Sequence, residues 1–173
     1  MANYKEKLHN ITTFIFDFDG VLTDGKVLLV DDNEQLRSSN VKDGYALQYA
    51  VKKGYKIAVI SGGYSKTMTK RMNSLGITDV FLGIDNKIET YEKYLLDNNI
   101  RKDQVLYMGD DIPDYEILLQ VGVATCPLDA AQEIKEIVDY ISDKKGGEGC
   151  VRDIIEQVLK LQNNWFHADA FHW

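Results

Sequence analysis

Two aspartates one residue apart stand directly after an apolar stretch near the start of the chain. Asp17 and Asp19 follow residues 12–16, whose β-branched and aromatic side chains are typical of a buried parallel strand. Open α/β sheets carry their chemistry at the carboxyl ends of such strands, so the pair stands where a site is expected. An isolated Asp-x-Asp is also a common polar turn, because Asp and Gly are enriched in turns.

Further polar residues follow strand-like stretches later in the chain. They are Ser61 after residues 56–60, Lys87, and Asp110, Asp111 and Asp114 after residues 104–108. Four or five carboxylates in one crevice would repel each other strongly, so the arrangement makes sense only with a cation among them. Oxygen ligands without His or Cys indicate Mg²⁺, which works beside phosphates. The pattern therefore predicts a phosphoryl-transfer site with an acid nucleophile.

The order of these motifs resembles the signatures of the haloacid dehalogenase superfamily over nearly the whole chain. All four motifs together are highly specific, whereas any one alone is weak. The resemblance implies that Asp17 is the nucleophile that takes the phosphoryl group as an aspartyl phosphate. It implies that Asp19 protonates the leaving oxygen and then activates water, which favours a phosphatase, a phosphoric monoester hydrolase.

The same resemblance implies a ligand for each remaining position. Mg²⁺ would be held by Asp17, the backbone carbonyl of Asp19, and Asp110, with Asp111 and Asp114 in the outer shell. Ser61 and Lys87 would bind the phosphoryl oxygens.

The spacing of the motifs leaves no room for a separate cap domain. Asp19 and Ser61 are 42 residues apart, Ser61 and Lys87 are 26 apart, and Lys87 and Asp110 are 23 apart. A capless site is open, so another element must exclude water and hold the substrate. The available candidates are the β-hairpin predicted over residues 26–39 and a neighbouring subunit.

In this respect the chain resembles the 3-deoxy-D-manno-octulosonate 8-phosphate phosphatases. The shared stretches are residues 19–25 (DGVLTDG), 40–45 (NVKDGY), Arg71 before 75–77, and 146–152 (GGEGCVR). The resemblance implies a homotetramer assembled by hairpins, with a neighbour's tail able to close the site on a small anionic sugar-acid phosphate. The substrate contacts it implies are Asn40, Asp43, Gly44, Gly62, Arg71 and Lys87.

Gly63 departs from this family's pattern. Many members carry a cation there that can meet the carboxylate of the sugar acid, and relatives that cleave nine-carbon keto-sugar acid phosphates tend to have Glu. Gly63 therefore leans away from the nine-carbon substrates without deciding for the eight-carbon one. A nine-carbon keto-sugar acid phosphate or another small phosphometabolite stays an alternative substrate.

The elements that must position these residues alternate between strands and helices throughout. This alternation predicts one domain over residues 1–173, a doubly wound, mainly parallel α/β sheet with helices on both faces. Further strands are expected at residues 79–82, 121–125 and 138–141. Helices are expected from Asp43 to Gly54, from Ser65 to Gly76, from Lys87 onward, around Ile117, at residues 130–136 and at residues 151–161.

Composition narrows the function classes. The 173 residues are 45% hydrophobic and 27% charged, as expected for a soluble globular protein and unlike a membrane protein, and the net charge of -7 argues against nucleic-acid binding. Cys126 and Cys150 fit no metal spacing or disulfide framework, and residues 1–10 are polar, unlike a signal peptide. We therefore expect a cytoplasmic protein with reduced thiols.

Four alternatives stay open at this point. A receiver-like signalling module also phosphorylates an Asp beside Mg²⁺, but it places its acid pair and its phosphorylated Asp in the opposite order. A non-catalytic scaffold is disfavoured because no catalytic position is substituted. Arg71 could be a plain surface charge. The aromatic tail over residues 162–173 could be loose, but its four large aromatic residues favour docking on a neighbouring subunit.

Overall fold

The computed structural model describes residues 3–30 and 35–172. The strands are β1 (Thr13–Phe16), β2 (Leu28–Leu29), β3 (Gln35–Leu36), β4 (Lys56–Ser61), β5 (Asp79–Leu82), β6 (Val105–Met108), β7 (Val123–Cys126) and β8 (Tyr140–Ile141). Six of them form one parallel sheet in the order β5-β4-β1-β6-β7-β8, while β2 and β3 pair separately and antiparallel. The predicted parallel sheet is confirmed.

In the described residues, seven α-helices connect and cover the strands. They are α1 (Tyr4–Lys7), α2 (Val41–Lys52), α3 (Lys66–Ser74), α4 (Lys87–Asp97), α5 (Tyr115–Leu118), α6 (Gln132–Lys135) and α7 (Cys150–Leu161). Polar caps fix the starts of two of them. Asn40 accepts a hydrogen bond from the Lys42 amide at 2.8 Å, and Ser65 accepts one from the Thr67 amide at 3.2 Å.

Side chains of β1 alternate between two cores, one on each face of the sheet. Phe14 and Phe16 pack in a cluster that includes residues of α2, α3 and α7, whereas Ile15 packs in a cluster that includes residues of α4, α5 and α6. A strand buried on both faces reads as a continuous apolar run, which is why β1 shows no polar alternation. The predicted doubly wound arrangement is confirmed.

The order of the strands fixes the location of the site. From β1 the chain builds outward to β4 and β5, then returns to the other side of β1 with β6, β7 and β8. The reversal lies between β1 and β6, and ligands bind at the carboxyl ends of strands beside such a switch point. Asp17 and Gly109 each stand one residue beyond the ends of these two neighbouring strands.

Several element bounds differ from the predicted ones. Helix α2 begins at Val41, two residues before the predicted start at Asp43, because Asn40 is the cap. Strand β7 begins at Val123 instead of residue 121, since the Gly122 amide is already bonded to the Lys102 carbonyl at 2.8 Å. Helix α6 begins at Gln132 instead of residue 130, since the Ala131 amide donates to the Asp110 carbonyl. Strand β8 is shorter than predicted, and the four-residue α1 was not predicted.

The predicted hairpin is present as the β2–β3 pair, in which Leu28 lies opposite Leu36. Its turn at residues 31–34, like Trp173, lies outside the described residues. Within the part of the chain that is described, no further domain is inserted before β4 or between β4 and β6, as the motif spacing predicts. The entrance to the strand ends is therefore not covered by a cap.

The aromatic tail packs on its own chain. Trp165 meets the rings of Tyr45 and Tyr49 edge-on at 6.3 and 5.4 Å, and Asp169 pairs with Lys53 at 2.7 Å. Docking on a neighbour is thus not needed to bury the Trp165 ring. Phe166 and Phe171 contact each other but stay 71% and 66% exposed.

Candidate active site

A cavity of about 470 Å³ lies at the carboxyl ends of β1, β4 and β6. It brings together every residue predicted to take part in phosphoryl transfer and magnesium binding. These are Asp17, Asp19, Ser61, Lys87, Asp110, Asp111 and Asp114, with Gly62 beside them. The lining also includes Asp85, so six aspartates face one lysine. An excess of carboxylates around one cavity is an arrangement that a divalent cation stabilises.

Lys87, the first residue of α4, holds two of these carboxylates. Its ammonium lies 3.0 Å from Asp17 Oδ1 and 2.7 Å from Asp114 Oδ1, and all three side chains are buried. Burial lowers the pKa of Lys87, but the charges of Asp114 and Asp17 outweigh that effect and raise its pKa overall. Lys87 is therefore cationic where a phosphoryl group would meet Asp17.

Asp114 is fully engaged by donors. Its Oδ1 also accepts a hydrogen bond from the buried Tyr107 hydroxyl at 2.6 Å, and its Oδ2 accepts from the Asp110 amide at 3.1 Å and the Asp111 amide at 3.4 Å. A carboxylate with this many donors positions the loop after β6 and has little remaining capacity for a metal. These contacts fit the outer-shell role expected of Asp114.

Asp17 and Asp110 have the properties of metal ligands. Together with Asp114 they offer carboxylate oxygens within 4.8 Å of one another. Asp110 Oδ1 is buried and accepts no hydrogen bond from any residue that the structure describes. Burial raises the pKa of both Asp17 and Asp110, and neighbouring carboxylates raise both further. A hard cation among these oxygens would relieve that repulsion, so the residues present fit Mg²⁺. We call Asp17, Lys87, Asp110 and Asp114 the acidic centre.

The glycine after Asp19 allows the two acidic loops to approach. Gly20 has a φ of +89°, and a Cβ there would lie 2.0 Å from Asp110 Oδ2. The loop that contains Gly20 also contacts the glycine-rich turn before α7, because the Gly147 amide donates to the Val21 carbonyl at 3.0 Å. The Asp-x-Asp-Gly motif therefore requires glycine for packing as well as for its turn.

Ser61 is the last residue of β4 and lines the cavity. Its side chain is buried, and its Oγ accepts a hydrogen bond from the Gly63 amide at 3.2 Å, which leaves the hydroxyl proton available to an acceptor. Asp111 instead caps the short 3₁₀ turn Ile112–Asp114 through the Ile112 amide at 2.8 Å and is exposed. The cavity thus presents the Ser61 hydroxyl and the Lys87 ammonium together with the carboxylate oxygens of Asp17 and Asp110.

Comparison with known proteins agrees with this geometry. The family model of the haloacid dehalogenase-like hydrolases matches residues 40–127. The 3-deoxy-D-manno-octulosonate 8-phosphate phosphatase KdsC of Yersinia pestis is 32% identical over 158 residues, covering 91% of this chain and 84% of that protein.

The chain belongs to the haloacid dehalogenase-like hydrolases.

Solved structures extend the similarity to the whole fold of this hydrolase. The Moraxella catarrhalis 3-deoxy-D-manno-octulosonate 8-phosphate phosphatase, in complex with magnesium, phosphate and KDO, has a TM-score of 0.92 at 31% identity and covers 99% of this chain and 97% of its own. The cobalt-bound phosphatase of Haemophilus influenzae has a TM-score of 0.89 at 30% identity, over 95% and 98%. The predicted classes of fold and enzyme, a hydrolase of phosphate monoesters, are confirmed.

The predicted Mg²⁺ cofactor is also confirmed, because relatives carry divalent cations and this hydrolase has a matching cluster of carboxylate oxygens. No helix in residues 3–30 and 35–172 has both the length and the apolar composition needed to cross a membrane.

Four residues of this hydrolase that are predicted to contact the substrate lie outside the cavity that holds the acidic centre. Asn40, Asp43, Gly44 and Arg71 do not line the large cavity and instead meet one another beside the start of α2. Asn40 donates to the Gly147 carbonyl at 3.0 Å, and Asp43 accepts from the Arg152 amide at 2.7 Å. We call this region, defined by Asn40, Asp43, Gly147 and Arg152, the α2–α7 junction. Its contacts hold two helices together, and direct contact with substrate stays a prediction.

Two functional side chains were missed by sequence reasoning. Tyr107 lies within an apolar run on β6, so its hydroxyl bond to Asp114 has no sequence signal. Arg37 follows β3, and its Nε donates to Asp19 Oδ1 at 2.6 Å. Arg71 packs over Gly44 and shares with Arg37 a second cavity of about 170 Å³. A basic residue on the predicted hairpin is a weak signal, since charged residues are common on exposed strands.

Proposed function

We propose that this hydrolase removes the phosphate of 3-deoxy-D-manno-octulosonate 8-phosphate through an aspartyl phosphate formed on Asp17. The main support is the position of Asp17, a buried carboxylate with Lys87 at 3.0 Å and carboxylate oxygens of Asp110 and Asp114 within 4.8 Å, inside an open cavity. Relatives that match most of the chain bear this activity in their names, and the Moraxella catarrhalis protein is seen with KDO and phosphate.

The residues of the chain divide the reaction between two aspartates. Asp17 attacks the phosphorus, and the bond between phosphorus and the sugar oxygen breaks while Asp19 gives that oxygen a proton. Asp19 then takes a proton from the water that attacks the aspartyl phosphate, which releases phosphate and restores Asp17. Both steps need Asp19 close to the reacting oxygen, and Asp19 lies on the cavity wall with its side chain 30% exposed.

A cation beside Asp17 makes the approach of two anions possible, because the Lys87 ammonium lies 3.0 Å from Asp17 Oδ1. A carboxylate about 4 Å from one phosphate charge meets roughly 4 kcal/mol of repulsion at an effective dielectric near 20. Lys87 and the Ser61 hydroxyl orient the phosphoryl oxygens and offset part of this repulsion. When bound, Mg²⁺ would be held by Asp17, the Asp19 backbone carbonyl and Asp110, and it would supply the remaining charge neutralisation.

The open entrance supports assembly into a homotetramer that closes the site. Leu28 and Leu29 on the β2–β3 hairpin are 63% and 74% exposed, and single-chain packing does not bury them. Apolar side chains on a projecting two-stranded hairpin suit a contact between copies. Light scattering after size exclusion tests this point: four chains per particle are expected, and a monomer would remove the neighbour from the proposal.

The experiment for the proposed function is phosphate release with Mg²⁺ across a substrate panel. The panel holds 3-deoxy-D-manno-octulosonate 8-phosphate, a nine-carbon keto-acid phosphate and a hexose phosphate, each with wild type and Asp17→Asn. A strong preference for the eight-carbon acid, lost in Asp17→Asn, is expected. Equal rates on all three would refute the named substrate, and unchanged release by Asp17→Asn would refute the nucleophile.

A further inference from the structure

The side chain of Arg37 is largely buried, whereas its described neighbours on the hairpin are exposed. Its side chain is only 7% exposed, whereas the neighbouring Leu36 is 39% exposed and Ser38 is also on the surface. A long charged side chain is rarely buried without a specific partner. The burial of the Arg37 side chain therefore needs an explanation other than the stability of the hairpin.

The guanidinium of Arg37 joins Asp19 to the hairpin. Its Nε donates to Asp19 Oδ1 at 2.6 Å, its Nη1 donates to the Gln35 carbonyl at 3.3 Å, and its Nη2 donates to Gln35 Oε1 at 3.2 Å. Arg donors form a rigid planar fork, so fixing one edge on Gln35 sets the position of the edge that meets Asp19. The Asp19 carboxylate is thus held by a residue outside the acidic centre.

Gly63 provides the space for this contact. A Cβ at residue 63 would lie 2.6 Å from Asp19 Oδ2 and 3.3 Å from Arg37 Nη2. With no side chain after Ser61 and Gly62, the cation beside Asp19 comes from the hairpin instead of from the loop after β4. Arg37 and Gly63 are therefore two parts of one arrangement.

We propose that Arg37 is a positioning residue that aims the Asp19 carboxyl at the leaving oxygen and makes the β2–β3 hairpin part of the active site. The inference rests on the proposed function, because it assigns Asp19 the transfer of a proton to the leaving group. Arg37 itself does not line the large cavity, so it acts through Asp19. A misplacement of about 1 Å in a catalytic group can cost on the order of 100-fold in rate.

The test compares kcat/KM for three phosphate esters in wild type, Arg37→Ala and Arg37→Lys. An alkyl alcohol leaves only with a proton from Asp19, whereas the phenolate of 4-nitrophenyl phosphate leaves without one. We expect Arg37→Ala to lower kcat/KM by roughly 10 to 100-fold for both 3-deoxy-D-manno-octulosonate 8-phosphate and glycerol 3-phosphate. The loss on the aryl ester should be less than about 3-fold, and Arg37→Lys should recover part of the alkyl activity because it keeps the charge.

Matched variants separate this role from damage to the fold. Arg101→Ala removes an exposed arginine paired with Asp103 and should leave all three rates unchanged. Gly63→Ala disturbs the same contact between Arg37 and Asp19 and should give the same larger loss on alkyl esters than on the aryl ester. This variant keeps the test available if Arg37→Ala folds poorly.

Three results would overturn the inference. An equal loss on aryl and alkyl esters would show that the hairpin supports the whole site without aiming Asp19. A loss confined to the sugar-acid phosphate would show that Arg37 binds the substrate carboxylate, since glycerol 3-phosphate has none. Unchanged rates would show that the ion pair has no role. A wild type that hydrolyses none of the esters would refute the proposed function itself, and this inference with it.

Discussion

The acidic centre and the α2–α7 junction both bury an aspartate, but the surroundings of the two aspartates differ. Asp17 shares a cavity of about 470 Å³ with other carboxylates and faces the Lys87 ammonium at 3.0 Å. Asp43 is 1% exposed, lies outside that cavity and accepts from the Arg152 amide in the first turn of α7. Burial raises the pKa of each of them.

The difference shows that burial and a raised pKa alone do not mark a catalytic acid. A reactive carboxylate also needs a cavity, neighbouring like charges and a cation that faces the same space. Asp43 has instead the contact of a helix cap, in which a carboxylate accepts a first-turn amide near the positive end of a helix dipole. The following predictions test whether the acidic centre serves the reaction and the α2–α7 junction serves stability.

Lys87→Met should have the largest effect. It removes the cation that faces both Asp17 and Asp114, so kcat/KM should fall by about 100 to 1,000-fold, the size expected for a preorganised donor to a reacting oxyanion. It also leaves two buried carboxylates without their partner, which should lower the free energy of unfolding by about 3–5 kcal/mol. Steady-state kinetics and urea unfolding check both effects.

Lys93→Met is the matched control, because Lys93 lies on the same helix but is 76% exposed and pairs with Asp97. Lys93→Met should change neither kcat/KM nor the free energy of unfolding measurably. Wild-type kcat/KM in Lys87→Met would remove Lys87 from the acidic centre.

Mg²⁺ should stabilise the acidic centre and leave the junction unaffected. A cation that binds only the folded state adds about 2.7 kcal/mol when present at 100 times its Kd. Thermal melting with Mg²⁺ and with a chelator should therefore differ by several degrees in wild type and in Asp43→Asn. Asp110→Asn should lose this difference, whereas Asp85→Asn, at an exposed position on the cavity wall, should keep it. A full shift in Asp110→Asn would contradict the assigned ligand.

Asp43 should make stability depend on pH in a predictable direction. Burial raises its pKa from 3.8 to about 6, so the folded state binds more protons than the unfolded state between these values. Its contribution to the free energy of unfolding is present below about pH 4 and is lost as pH rises through about 6, by roughly 3 kcal/mol. Urea unfolding at pH 4 and 7 should show this component in wild type and lose it in Asp43→Asn.

Asp97→Asn, at an exposed position, should retain the pH dependence of wild type. If Asp43→Asn keeps the same slope as wild type, another group is responsible.

Tyr107→Phe should have the smallest effect of the set. It removes one hydrogen bond to the Asp114 carboxylate, which should lower the free energy of unfolding by about 2 kcal/mol, as expected for a bond to a charged group. Tyr91→Phe is the control, since the buried Tyr91 hydroxyl has no hydrogen-bond partner among the described residues. Equal effects of the two variants in urea unfolding would show that the Tyr107 bond does not stabilise Asp114.

The sequence was sufficient for the sheet and the strand-end residues. Continuous apolar runs predict the parallel strands, and glycines such as Gly54 and Gly76, both with positive φ, mark helix ends. Because parallel strands end on one edge, residues as distant as Asp17 and Asp110 are predicted to meet without any contact information. The helix expected from Ser65 to Gly76 is present as α3, with Ser65 as its cap and with Met68 and Met72 buried.

Contacts that depend on three-dimensional packing were not predictable in the same way. The side chain of Arg37 meets Asp19, which is 18 residues earlier in the chain, and nothing at residue 37 of the sequence signals this contact. Asn40 carried a readable signal, since Asn is a favoured helix cap, but it was assigned to substrate. The four-residue α1 has too few apolar positions to show a helical period.

The most direct test of the central assignment uses Asp19→Asn with 4-nitrophenyl phosphate and Mg²⁺. The phenolate leaves without a proton, but the water that attacks the aspartyl phosphate loses its base, so the intermediate should accumulate. Rapid mixing should show a burst of about one phenolate per active site, and mass spectrometry after acid quenching should find one phosphoryl group on the peptide that contains Asp17. Steady turnover with no burst and no phosphoryl group on that peptide would contradict Asp17 as the nucleophile and Asp19 as its base.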